Sequence, residues 1–364
     1  MGAHWSRPSS KKPTFTEADV GLQDGKVFLI TGGTSGIGLA LAKMLYRKGG
    51  RVYITGRSPE KGRKAIKAIR KAAAAAKEPT TTTVGGSIEF LLLHLDDLNS
   101  VRAAAEEFAS RECQLHVLWN NAGVMRPPAG SLSAQGFELQ LATNCLGPYL
   151  LAQLLKVLLI KTANSNAAAA GPGSVRVVWS SSRDAAVESP PQGVVMDEVR
   201  APPTTPKTPK DGKKARRRGY VVSKTGNMFM ASEFARAFSY RHGVVSASVD
   251  PGPAGGTRLY RHARCFFPIR RLAQGLLLLP GPERAAGALL YAGLSADVTV
   301  ANSGCHVVPG PPPRIEEHLR PDLVEAMLPR EDGGSGRAEE FCEFCREVTH
   351  GYRDGDPGPN KRPF

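Results

Sequence analysis

The sequence has few aromatic residues (7%), only six cysteines, and no run of 18 or more apolar residues. Six thiols scattered along 364 residues are too few for a disulfide framework. The most apolar stretches are interrupted. Leu276 to Leu279 ends at Pro280, and the segment 150–160 contains Gln153 and Lys156. No transmembrane helix is therefore expected. Residues 1–13 are polar and basic without an apolar stretch, which argues against a secretory signal. Together these absences predict a soluble, cytoplasmic protein. There is no internal repeat, and a composition of 41% hydrophobic and 22% charged residues excludes a disordered or collagen-like chain.

What the chain has in plenty is glycine (39), proline (28) and positive charge (net +15). Residues 207–218 hold seven basic side chains against one acid, Asp211, and a second basic run covers 57–77. Such an excess bears on anionic partners rather than on fold. The stretch 213–218 has the composition of a nuclear-import or nucleic-acid patch. Its only neighbouring aromatic is Tyr220, so base-reading groups are lacking and no nucleic-acid partner is expected. A solvated surface loop, able to attract an acidic substrate, fits it better.

Short β-rich runs alternate with helical patterns. The strands are predicted at 27–30, 51–55, 88–94, 115–119, 174–180, 244–249 and 304–308, and helices at 37–47, 100–111, 137–160 and 224–240. This alternation predicts a parallel sheet covered on both faces. Residues 80–86, 164–173 and 189–219 read as connectors, the last a long Pro- and Lys/Arg-rich surface insertion. One elaborated domain over 21–350 is expected, with a disordered basic arm at 1–20 and a tail at 351–364.

The most informative segment runs from Val27 to Gly38, an apolar strand followed by Thr31-Gly-Gly-Thr-Ser-Gly-Ile-Gly38 and a helix. Gly32, Gly36 and Gly38 allow a tight turn and a close approach of backbone to a pyrophosphate. The helix start then offers free N–H groups and a positive dipole end. The spacing is G-x-x-x-G-x-G rather than G-x-G-x-x-G, and a glycine cluster alone is weak; its place between strand and helix strengthens it. After the second strand, where an NAD-selective site carries a carboxylate, Gly56 and Arg57 stand instead. A guanidinium there suits a 2′-phosphate and favours NADP(H) over NAD(H). The alternative is a solvated arginine opening a basic helix.

The glycine segment, Asn120-Asn121-Ala122-Gly123 after a strand, and Tyr220-x-x-x-Lys224 occur in the order found in the short-chain dehydrogenase/reductases, and the chain resembles that family over residues 25–348. Val177-Val-Trp179, Glu233-Phe-Ala-Arg236, Tyr291-Ala-Gly-Leu294 and Ala338-Glu-Glu-Phe341 make it most similar to a fungal branch related to retinol dehydrogenases. The resemblance implies a Rossmann-type α/β fold, a doubly wound three-layer sandwich with a mainly parallel seven-stranded sheet. It implies hydride transfer with NAD(P) and a tetrad of Asn144, Ser182, Tyr220 and Lys224. Ser181 is the second choice for the serine, because Ser180, Ser181 and Ser182 are consecutive. Cofactor contacts are implied for Gly32, Thr34, Ser35, Gly36, Ile37, Gly38, Arg57, Asn121, Ala122, Gly123, Tyr220, Lys224, Pro251 and Gly252. Asp96 is preferred to Asp97 as the adenine contact.

The residue chemistry supports these roles. Tyr220 and Lys224 are four apart and share one face of a helix. A free phenol titrates near ~10, so an adjacent ammonium would be needed to bring it into use as an acid–base group. Ser182 would orient the reacting oxygen, and Asn144 would hold a water completing a proton relay. A surface tyrosine and lysine on a helix would look the same were the other motifs missing.

Some features depart from the family. Arg183 and Asp184 follow the serines directly, and 38 positions separate Ser182 from Tyr220. Asp250-Pro251-Gly252 replaces an Asn-Pro-Gly, and Thr257 lies one residue late for a carboxamide contact. The substrate walls are expected at 183–219 and 258–281. Cys342-Glu-Phe-Cys345 has a zinc or redox spacing, but no second pair accompanies it and core packing explains it better. No metal is expected. The reading is an NADP(H)-dependent oxidoreductase interconverting an alcohol and a carbonyl on a small to medium apolar substrate, as a possible homodimer. The alternative is a cofactor-binding sensor or scaffold with little catalysis.

Overall fold

The computed structural model describes residues 15–75, 86–170, 173–203, 208–260 and 279–353. The expected arm at 1–20, the tail, the connector at 80–86 and the second expected substrate wall lie partly outside them.

Eight strands form one sheet: β1 (Val27–Ile30), β2 (Arg51–Gly56), β3 (Ser87–Leu92), β4 (Val117–Asn120), β5 (Val175–Ser180), β6 (Val244–Val249), β7 (His306–Val308) and β8 (Arg314–Ile315). Their order is β3-β2-β1-β4-β5-β6-β7-β8. The first seven pair in parallel, and the short β8 adds an antiparallel edge to the seven strands expected. The chain reverses direction across the sheet between β1 and β4, which opens a crevice at the carboxyl ends of those strands.

Near-continuous apolar strands such as Val27–Ile30 are buried on both faces, as a parallel sheet requires. One layer holds α1 (Gly36–Arg47) and α2 (Pro59–Ala75); the other holds α3 (Leu98–Arg111). The short α4 (Leu139–Leu141) runs through a π-turn (Ala142–Leu146) into α5 (Gly147–Ala170). Then come α6 (Arg183–Glu188), α7 (Met196–Arg200), α8 (Pro209–His242), α9 (Pro282–Leu294), α10 (Pro321–Met327) and α11 (Arg337–Thr349). Among the described residues, two large apolar clusters result, one on each face of the sheet, with a small third of Ala185, Met228 and Leu323. The segment Leu139–Ser165 is long and apolar enough to cross a membrane by length and composition, but two-thirds of its most apolar window is buried against the core.

Two expected connectors are helical instead. Residues 164–170 continue α5. The insertion at 189–219 contains α7, and α8 begins at Pro209, so most of the basic run lies on a helix rather than a loop. Thr208 caps that helix, its hydroxyl accepting from the Asp211 N–H at 3.2 Å, with Pro209 in the first turn. Arg217 and Arg218 pair with Glu188 and Glu198 and hold the new turns against α6 and α7. Cys342 and Cys345 are packed in the core, where burial pushes both thiols well above their ordinary range.

Candidate active site

Strand β1 runs on into Thr31, whose backbone N–H reaches the Trp119 carbonyl at 3.0 Å and whose hydroxyl accepts from the Ala122 N–H at 3.0 Å. Asn121 donates to the Thr31 carbonyl at 2.8 Å. These bonds lock the glycine turn to the end of β4. Gly32 takes φ +70°, and a Cβ at Gly38 would stand 2.6 Å from the Asn121 amide nitrogen and 2.8 Å from the Gly32 carbonyl. The turn therefore closes only without side chains at these positions.

One cavity of about 1830 Å³ runs from this turn along the carboxyl ends of the strands. That exceeds the roughly 300–1,000 Å³ of an ordinary ligand pocket and leaves room for two ligands side by side. Its wall includes Gly32, Thr34, Ser35, Gly36, Ile37 and Gly38, then Arg57 and Asp96, then Asn121, Ala122 and Gly123. Ser182, Tyr220, Lys224, Pro251 and Gly252 complete that wall. All the residues expected to hold cofactor thus share one cavity; Asn144 stands just behind it. Two buried hydroxyls on the wall, Thr143 Oγ1 and Ser180 Oγ, have no protein partner and remain for ligand or water.

The alternatives left open in the sequence separate here. Ser181 donates to the Lys224 carbonyl at 2.8 Å and is committed to structure. The Ser182 hydroxyl accepts the Asp184 N–H at 3.3 Å as cap of α6 and is hydrogen-bonded to the Tyr220 phenol. Asp97 caps α3 through Asn99 N–H at 3.0 Å, whereas Asp96 faces the cavity 3.7 Å from Arg57. Arg57 is half-exposed on the rim. Thr257 lies on the wall, against Gly36.

Burial outweighs the Lys224 charge at the Tyr220 phenol, whose hydroxyl lies above rather than below its usual range. The Lys224 ammonium lies 5.9 Å from the Tyr220 ring centroid and donates to the Ser180 carbonyl at 2.8 Å. At the phenol, the Ser182 hydrogen bond works against burial, and the charge of Asp184 adds to the rise. Burial likewise depresses Lys224, to about 8. Asn144, in turn, commits both amide donors to protein, so a water beside it would be held through an oxygen rather than the amide nitrogen. Its amide nitrogen donates to the Val124 carbonyl at 3.0 Å and to the Ser223 hydroxyl at 2.9 Å, while its oxygen accepts from Val124 N–H at 2.8 Å. It fixes the loop after Gly123, and the π-turn is what places it there.

The substrate walls also differ from expectation. Among the described residues of 183–219, Arg183, Asp184, Ala186 and Val187 reach the cavity, and the basic residues 210–218 do not. Arg258, Leu259 and Tyr260 contribute from the second wall. Sequence reading missed Arg126 and the residues after β7, among them Arg314 and Leu319, which line the far side. No local signal marks them, because only the sheet order brings β7 and the β4 loop to one opening.

Comparison with known proteins agrees with this geometry. The short chain dehydrogenase family matches residues 26–170. The short-chain dehydrogenase/reductase iacJ of Pestalotiopsis fici is 36% identical, covering 94% of this chain and 95% of its own. The short-chain dehydrogenase/reductase pkfC of Emericella nidulans is 39% identical over 83% of this chain and 89% of its own. Among solved structures, an uncharacterised protein from Mycobacterium paratuberculosis superposes with a TM-score of 0.61 at 23% identity, covering 93% of this chain and 98% of its own. The RhlG/NADP active-site complex of Pseudomonas aeruginosa gives 0.55 at 19%, over 82% and 97%. The likeness of these two is one of fold. The chain belongs to the short-chain dehydrogenase/reductase family, whose members are NAD(P)-dependent oxidoreductases acting on CH–OH groups.

Proposed function

We propose that this protein interconverts an alcohol and a carbonyl on a small to medium, largely apolar substrate, using NADP(H). One observation carries the reading: Ser182, Tyr220 and Lys224 line the same cavity as the glycine turn, which closes only with glycine at positions 32 and 38. When bound there, the nicotinamide supplies or accepts the hydride. Tyr220 gives its phenolic proton to the carbonyl oxygen in reduction and takes it back in oxidation. Ser182 donates a hydrogen bond to that oxygen. Lys224, depressed to about 8, holds a proton that it can release near neutral pH to restore the phenol. Asn144 acts through the Gly123–Val124 backbone that it holds. Arg57 on the rim favours the 2′-phosphate, and Asp96 beside it reaches toward the adenine.

A second reading, a cofactor-binding protein with little turnover, draws on the raised phenol and on the charge of Asp184 beside it. Consumption of NADPH and NADH across a panel of aldehydes and ketones separates the two. The oxidoreductase reading expects carbonyl-dependent oxidation, faster with NADPH. Tight NADPH binding without oxidation by any carbonyl would overturn it in favour of the second.

A further inference from the structure

The residue that stands out in the substrate half of the cavity is Arg126. It carries a left-handed backbone, φ +48°, with Pro127 next in the chain. A non-glycine residue in that region costs roughly 1–3 kcal/mol and persists only where its surroundings hold it. They do so here. The Arg126 N–H donates to the Gln140 side-chain oxygen at 2.7 Å. Gln140 is fully buried and is held in turn by Glu138 at 3.1 Å and by the Arg216 carbonyl at 3.1 Å. The helical extension that carries the basic run thus braces the backbone of a cavity residue.

The guanidinium so placed has donors to spare. Arg126 Nε is buried without a hydrogen-bond partner. The ion pair to Asp184 is 3.9 Å, too long for a hydrogen bond. Met125, Val187 and Leu319 line the same cavity and give it an apolar side. A planar fork of donors in a cavity that also has apolar lining matches a carboxylate, which it can grip through two parallel bonds.

We propose that Arg126 is a specificity-determining residue, and that the preferred substrate joins an apolar body to a carboxylate that Arg126 receives. This rests on the oxidoreductase reading above and narrows its substrate class. Asp184 is the internal competitor for the guanidinium. Its contact with the guanidinium is long, at 3.9 Å, and burial and the neighbouring Glu188 hold its carboxyl above the ordinary range.

The test uses a matched pair, 4-carboxybenzaldehyde and its methyl ester, as substrates with NADPH and as ligands of the NADP+ complex by calorimetry. The wild type is expected to favour the acid. Arg126→Met should lower the acid-to-ester ratio about 10- to 100-fold, the range of a charged hydrogen bond, and Arg126→Lys should restore part of it. Asp184→Asn should raise the ratio. A ratio unchanged in Arg126→Met, a wild type that binds the ester better, or no binding of the acid to protein that binds NADP+ would each overturn the proposal. If aldehydes lacking the acid are reduced while the ratio stays flat, the substrate class fails and the oxidoreductase reading survives.

Discussion

Lys224 is charged at neutral pH only at a cost. Its ammonium is buried, and the shift from 10.5 to about 8 corresponds to about 3 kcal/mol of lost stability while the group is protonated. Replacing it with methionine removes that burden. The Ser180 carbonyl keeps a donor, because Asn227 also reaches it at 2.7 Å. Lys224→Met is therefore expected to raise the melting temperature at pH 7 while abolishing turnover. The folded-state value lies below the unfolded one, so the unfolded chain binds more protons between about pH 8 and 10.5 and the wild type gains stability across that window. The advantage of the variant should be full below pH 8 and fade above it. Melting curves at pH 7 and 10 check this; a destabilised variant at pH 7 would show that the ammonium earns its place through the Ser180 bond. Arg57, proposed to meet the 2′-phosphate, is tested at the same scale. It is half-exposed, so Arg57→Ala should weaken NADPH about 10-fold and NADH little, by fluorescence titration. Equal losses would remove Arg57 from the 2′-phosphate.

Between elements, the close approach of β1, α1 and the end of β4 decides whether a dinucleotide can seat. A methyl at position 38 would collide with Asn121 and with the Gly32 carbonyl. Gly38→Ala should cost about 1–3 kcal/mol by overpacking and abolish detectable cofactor binding. A melting scan and an NADPH titration check both; normal NADPH affinity would mean the turn is looser than its contacts indicate. This junction was the most legible part of the sequence, because strand, glycines and helix are contiguous and each has a local cause. Strands β1 and β6 were readable to the residue for the same reason, being short apolar runs bounded by turns. The start of α8 was not, since Pro, Lys and Arg suit a loop as well as a capped first turn until Glu188 and Glu198 are near. The motif ranked Ser182 before Ser181 but left both open among three identical residues, and the helix behind them, through the Lys224 carbonyl, holds Ser181. Arg126 carried no signal at all, because its meaning comes from Gln140 and Asp184, distant in sequence.

At the scale of the whole molecule, the sheet separates two apolar layers, and the cavity lies along its carboxyl edge where both meet. A ligand seated there touches segments from β1 through β7 and should stabilise the domain as a unit. NADPH at 100 times its dissociation constant adds about 2.7 kcal/mol and should raise a single melting transition, with NADH at equal concentration raising it less. A transition that stayed put with saturating NADPH would contradict the cofactor assignment. The chemistry assigned to that edge depends on the hydroxyl of Tyr220, and its removal is the most direct test. Tyr220→Phe is expected to lose about 10²- to 10⁴-fold in carbonyl-dependent NADPH oxidation while binding NADPH as the wild type does. Turnover retained in that variant would contradict the account.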